Sequence, residues 1–170
     1  MESTLSSITY VSLFKYVMPT STFLQNNSKV IENVLEHGFI SDISCELLRR
    51  KNPQILDVLR ADVDRNGIDL VLSVDATTHH IQMKARVTKP LATSYDIADL
   101  IWSNSSGCVI WIIYDGSTMK PISYYLLGVP LAPLLSFPAS TRSKHRKIWT
   151  RNANHKKLSL TELTDILFPI

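Results

Sequence analysis

One stretch near the middle of the chain decides the fold: residues 67–87 read GIDLVLSVDATTHHIQMKARV. Residues 68–74 are mostly apolar, polar and apolar residues alternate from 80 to 87, and the segment between them is short and polar. Alternation with a period of two is typical of β-strands, and a polar break between two such runs favours a hairpin. The stretch therefore predicts two antiparallel strands. One face of the second strand carries its polar side chains: His80, Gln82, Lys84 and Arg86.

The residues upstream of the hairpin predict a further strand and two helices. Residues 55–63 are rich in Val, Leu and Ile and alternate in part, and the turn signal Arg65-Asn66-Gly67 follows them. We therefore expect three antiparallel strands in a row. Before them, apolar residues recur at helical spacing over 27–35 and again over 39–51, with a break predicted at His37-Gly38.

The residues downstream predict a helix and a buried strand. Residues 93–103 have helical spacing, and 108–114 form a continuous apolar run that is typical of a central strand. A further strand is expected at 124–129, and the sequence Ser159-Leu160-Thr161-Glu162 predicts a capping box that opens a last helix. The order of helix, three strands, helix and strand predicts an α/β fold with a mixed central sheet flanked by helices.

Length and composition indicate one globular domain. The chain has 170 residues, of which 45% are hydrophobic, so it can bury a core. We expect a core at about 39–115, an N-terminal helical extension at about 1–38 and a C-terminal part at about 116–170. Two cysteines do not make a disulfide framework, and we find no signal-peptide pattern and no apolar run long enough to span a bilayer. We therefore expect a cytoplasmic protein with no membrane partner.

The predicted hairpin brings together groups that suit phosphodiester hydrolysis. Asp69 begins the second strand, and Gln82 and Lys84 share a face of the third. Mg²⁺ prefers oxygen ligands, which a carboxylate, an amide and the backbone carbonyl after Gln82 can supply. A lysine ammonium beside them can orient a water molecule or stabilise developing negative charge.

These residues resemble the Asp…(Glu/Gln)-x-Lys signature of the PD-(D/E)XK nuclease superfamily, whose restriction endonuclease-like αβββαβ core has the predicted element order. The resemblance covers about 39–115. It implies a DNA endonuclease dependent on Mg²⁺ or Mn²⁺, restriction- or repair-related, and a possible homodimer. Asp69, Gln82 and Lys84 would be catalytic, with Asp69 and Gln82 holding the metal. Ile68 stands where the signature has Pro, and Gln82 where many members have Glu.

The superfamily often adds an acid from its first core helix, and here Asp42 and Glu46 lie four residues apart on one predicted helix face. The sequence does not choose between them as the additional catalytic and metal-binding residue.

Basic residues near the signature and toward the C-terminus are candidates for DNA contact. They are Arg86, Lys89, Arg142, Lys144, Arg146, Lys147, Arg151, Lys156 and Lys157. The last seven lie in a segment, 142–157, that has no acidic residue. Such a run is typical either of phosphate contact or of a solvated loop. Two alternatives stay open: an inactive nucleic-acid-binding module of the same fold, and a protein–protein interaction domain.

Overall fold

The computed structural model describes residues 20–60, 67–87, 94–132, 134, 140–142, 145–149 and 157–170. Within these ranges the chain forms four helices: α1 Ser21–Asn26, α2 Ser28–Leu48, α3 Asp99–Ser103 and α4 Leu160–Leu167. The same ranges contain nine strands: β1 Asp57–Arg60, β2 Leu70–Val74, β3 Thr77–Val87, β4 Ser94–Ala98, β5 Gly107–Tyr114, β6 Pro121–Gly128, β7 Ser140–Arg142, β8 His145–Trp149 and β9 Lys157–Leu158. No helix of the described part is long and apolar enough to cross a membrane.

The strands form a mixed sheet of six with the order β1-β2-β3-β5-β6-β9 and a smaller sheet with the order β4-β8-β7. In the larger sheet β3 and β5 are parallel, and the other neighbouring strands are antiparallel. A parallel pair needs a crossover connection, and here the segment that contains β4 and α3 provides it. The predicted α/β class with a mixed, helix-flanked sheet is confirmed.

The predicted antiparallel hairpin is present. β2 and β3 pair from Leu70↔Ile81 to Val74↔Thr77. The turn between them is shorter than predicted, because β3 begins at Thr77 and only Asp75 and Ala76 lie outside the strands. Asp75 has a φ of 52°, a left-handed conformation that aspartate tolerates better than most residues.

Both faces of the large sheet are covered. On one face α2 lays down a stripe of buried residues at steps of four: Ile31, Leu35, Phe39, Ile43 and Leu47. The ring of Phe39 packs against Tyr124 of β6, and α4 adds Leu163 and Leu167 to the same core. On the other face, α3 packs Ile101 and Trp102 over β5. Strand β5 is therefore buried on both sides, as its continuous apolar run predicts.

Two predictions about the helices are wrong. The first is the helix break at His37-Gly38. Helix α2 runs without interruption through both residues. A glycine inside a helix costs only about 1 kcal/mol relative to alanine. Each large buried side chain of the stripe contributes about 1.5–3 kcal/mol. Because the stripe continues on both sides of Gly38, the free energy gained by burying its side chains outweighs the low helix propensity of one glycine.

The second correction concerns residues 93–103, predicted as one helix. Residues Ser94–Ala98 form strand β4, and only Asp99–Ser103 is helical. The partner of β4 is β8, which lies in the basic segment, and the pairing runs from Ser94↔Trp149 to Ala98↔His145. A pairing between residues about fifty positions apart overrides the local helical spacing. The described part of the basic segment is thus largely strand.

Candidate functional site

The candidate site lies where strands β2 and β3 separate. Their regular pairing ends at Leu70↔Ile81, and the Asp69 N–H donates one more hydrogen bond to the Ile81 carbonyl, at 2.9 Å. The next N–H of β3 on that edge belongs to Met83, and it donates to Oδ2 of Asp69 at 2.6 Å. The carboxylate thus replaces a backbone partner at this point, which holds the side chain at the edge of β3.

A second oxygen is directed toward the same place. In a β-strand the N–H and the C=O of one residue point to the same edge. Because the Met83 N–H points toward Asp69, the Met83 carbonyl does so as well, beyond the last paired residue of β2. A charged and a neutral oxygen therefore lie at the same edge of β3, where β2 has ended.

A cavity of about 390 Å³ opens along this edge of β3. Its lining comes from the first half of α2, from Asp69, from β3 and from β5: Lys29, Glu32, Asn33, Leu35, Glu36, Asp69, Gln82, Met83, Lys84, Ala85, Arg86 and Trp111. Three of these residues are acidic and three are basic, so the lining is balanced in formal charge. The cavity can therefore offer a cation and a phosphate group oppositely charged partners within one space.

Lys84 is the predicted catalytic lysine, and the structure places it in the cavity with Asp69. It is half-buried and lies beside Trp111 in the parallel pairing of β3 with β5. Arg86, two residues further along the same strand face, is exposed and also lines the cavity. These two cations are arranged along the strand so that both can face a bound phosphodiester.

The acids that α2 brings to the cavity are Glu32 and Glu36, and not the predicted Asp42 and Glu46. Burial and, second to it, the Glu32 carboxylate raise the pKa of Tyr114 at the end of β5. Glu36 forms an ion pair of 2.6 Å with Arg60 of β1.

Asp42 lies elsewhere on α2, over a different strand. It contributes, after burial, to the raised pKa of Tyr124, which lies on β6. Because β6 is two strands from β3, this is about 10 Å across the sheet from the cavity. Glu46 lies one helical turn beyond Asp42 and does not line the cavity. Glu32 and Glu36 are not predicted as site residues from the sequence, because a break expected at Gly38 separates them from the first core helix; the apolar steps of four from Ile31 to Leu47 are the signal of a single helix.

Gln82, the second predicted metal ligand, lines the cavity but is only 5% exposed. Its Oε1 accepts a hydrogen bond from the Ala98 N–H of β4 at 3.3 Å. Among the described residues, no group of three or more His, Cys, Asp and Glu side chains is placed to hold a metal ion. The donors that fit Mg²⁺ are the Asp69 carboxylate and the Met83 carbonyl, because this cation is usually held by one or two carboxylates and keeps several waters.

The basic residues predicted to contact DNA are spread over several parts of the fold. Arg86 lines the cavity, whereas Lys157 is exposed on β9, three strands or about 14 Å away from β3. Lys147 of β8 is half-buried and pairs in register with Asp96. Arg142 and Arg146 belong to β7 and β8. Four others lie outside the described residues: Lys89, Lys144, Arg151 and Lys156.

No protein-family model matches this chain, and no curated protein sequence matches it.

Proposed function

We propose that the protein is a cytoplasmic, metal-dependent nuclease that hydrolyses phosphodiester bonds in DNA. One observation carries the proposal: Asp69 and Lys84 line the same cavity, at the point where β2 and β3 separate. The topology supports it, because a helix, three antiparallel strands and a crossover to a parallel strand follow one another as in the αβββαβ core that the sequence resembles.

The chemistry follows from the groups at the cavity. Asp69 and the Met83 carbonyl would hold a hard divalent cation, Mg²⁺ or Mn²⁺. When bound, such a cation polarises the phosphoryl oxygen and lowers the pKa of a water molecule. Lys84 orients the attacking water and offsets the negative charge that develops on the phosphate. Arg86 binds the phosphate backbone at the open side of the cavity.

The test is cleavage of supercoiled plasmid by the full chain with Mg²⁺, with Mn²⁺ and with EDTA. Lys84→Ala is the site variant. Lys120→Ala is the matched control, because Lys120 is an exposed lysine between β5 and β6 that does not line the cavity. We expect nicking that needs the metal, unchanged activity in the control and a loss of about 100-fold or more in Lys84→Ala, the range of general acid–base contributions. Equal nicking by both variants, or none by the wild type with either metal, would refute the assignment.

A second candidate function is supported by one specific observation. The Gln82 oxygen accepts a hydrogen bond from the Ala98 N–H and is therefore not directed at a metal ion. The cavity thus has a weaker set of metal ligands than the sequence signature implies. An inactive nucleic-acid-binding module would use the same lysine and arginine side chains to bind nucleic acid and would not cut it. Salt-sensitive DNA binding with no metal-dependent nicking would assign the protein to this class. Nicking of both strands at one place would in turn support a homodimer, in which two sites act on one duplex.

A further inference from the structure

We infer that Gln82 is a positioning residue, which holds the Asp69 segment and strand β4 against β3, and that it is not a metal ligand. The catalytic consequence rests on the proposed nuclease function, whereas the structural role does not.

A hydrogen bond holds the buried Gln82 amide in one orientation. The side chain is almost completely buried, and its oxygen accepts from the Ala98 N–H. Ala98 is the last residue of β4 and the N-cap of α3, and it is itself only 5% exposed. If the Gln82 oxygen turned toward a metal, the buried Ala98 N–H would lose its hydrogen-bond acceptor. A buried donor without an acceptor costs free energy of folding. The hydrogen bond therefore fixes the direction of the amide.

Gln82 and Ala98 both lie close to Gly67. A Cβ atom added at Gly67 would come within 2.2 Å of the Ala98 Cβ and 3.1 Å of the Gln82 Nε2. Gly67 also has a φ of 66°, which other residues rarely adopt. Only a residue without a side chain fits here, so the space beside Gly67, two residues before Asp69, is filled by Ala98 and the Gln82 amide.

The two contacts together assign the role. On one side the Gln82 amide lies next to Gly67, in the segment that leads into Asp69, and on the other side its oxygen accepts a hydrogen bond from the Ala98 N–H of β4. Strand β4 belongs to the small sheet, in which it pairs with β8. Gln82 thus sets where the Asp69 carboxylate stands relative to Lys84, and it joins the small sheet to the strand that bears the candidate site.

The test uses three variants of the full chain and two readouts. Gln82→Met keeps the length and loses the acceptor, Gln82→Glu keeps the acceptor and adds a charge, and Gly67→Ala disturbs the same contact from the other side. The first readout is amide hydrogen exchange at Ala98, with Ile110 of the central strand as an internal control. In Gln82→Met we expect exchange at Ala98 to rise about three- to tenfold, the change that corresponds to one hydrogen bond, with little change at Ile110. Unchanged protection at Ala98 would overturn the inference.

The second readout is Mn²⁺ affinity, measured by titration calorimetry. A carboxylate is a stronger ligand than an amide for a hard cation, so a ligand at position 82 would make Gln82→Glu bind Mn²⁺ more tightly, by about tenfold or more. We expect no such gain, and a gain of that size would overturn the inference. Gly67→Ala is expected to lower the cleavage rate at saturating Mn²⁺, as Gln82→Met does, because both displace Asp69. Full activity in both variants would contradict the positioning role.

Failure of the proposed function gives a different result. A wild-type protein that neither binds Mn²⁺ nor cuts DNA would remove the nuclease proposal. The exchange experiment at Ala98 needs no metal and would still decide whether Gln82 holds β4 in place.

Discussion

Replacement of Asp69 separates the two roles that its carboxylate has in the structure. The carboxylate accepts a hydrogen bond from the Met83 N–H at 2.6 Å, which fixes it at the edge of β3, and in the proposed function it is also the charged ligand of the metal. Asp69→Asn keeps an oxygen for Met83 but loses the negative charge. Asp69→Ala loses both. The two variants therefore differ in stability and agree in activity.

The magnitudes follow from the hydrogen bond. Bonds to charged groups contribute about 1.5–3 kcal/mol and neutral ones about 0.5–1.5 kcal/mol, so Asp69→Asn should cost about 1 kcal/mol and Asp69→Ala about 2–3 kcal/mol. For a protein of this size about 1 kcal/mol corresponds to a Tm change of about 2–4 °C. Both variants should lose metal-dependent nicking, because an amide or a methyl group does not replace a charged ligand of Mg²⁺.

The assay combines thermal unfolding with plasmid nicking in Mg²⁺, Mn²⁺ and EDTA. An Asp69→Ala protein as stable as Asp69→Asn would show that the bond to Met83 contributes nothing. An Asp69→Asn protein that still nicks DNA at the wild-type rate would show that the carboxylate does not hold the metal, and the proposed mechanism would then be wrong.

Three further predictions concern stability. Gly38→Ala should raise the free energy of unfolding by about 0.5–1 kcal/mol, because Gly38 is helical and, apart from the neighbouring helix backbone, nothing lies within 4 Å of the added Cβ; urea unfolding that shows a loss would contradict this. Phe39→Ala should lower it by about 3–5 kcal/mol in the same assay, because Phe39 is fully buried, and a cost below 1 kcal/mol would refute its place in the core. Burial, partly offset by the bond to the Leu167 carbonyl, lowers the pKa of His79 below its ordinary value of 6.5, so the unfolded chain takes up this proton first as the pH falls. The folded protein should therefore lose stability as the pH drops below about 6.5, until the folded pKa is reached, whereas His79→Gln should lack this component of the slope; equal slopes in pH-dependent urea unfolding would refute it.

The parts of the fold that the sequence predicts are those in which local pattern and burial agree. The hairpin at 67–87 follows from alternation around a polar turn, and β5 follows from an apolar run that is buried on both faces. The capping box of α4 is also confirmed, with Ser159 Oγ accepting from the Glu162 N–H at 3.2 Å. In each case the residues that predict the element lie close together in the sequence.

The parts that the sequence does not predict depend on distant residues. Strand β4 exists because β8 pairs with it, and nothing within 93–103 records that partner. The direction of the Gln82 amide is set by Gly67 and Ala98, which come from two other segments. The sequence predicts that Asp69, Lys84 and Gln82 share one small patch of the sheet, but the hydrogen bonds that divide their roles depend on the tertiary structure.

The unbroken course of α2 has a mechanical consequence. With 21 residues at about 1.5 Å each, the helix is a rod about 30 Å long. Just past the C-terminal end of α2, Arg50 donates hydrogen bonds to the Asp165 carboxylate of α4 and to the Phe168 carbonyl, each at 2.6 Å. Near the N-terminal end of α2, Glu32 lines the cavity. A tilt of about 2° about the Arg50 end would move the far end by about 1 Å. The contacts of Arg50 with α4 therefore help to set the width of a cavity that lies at the opposite end of α2.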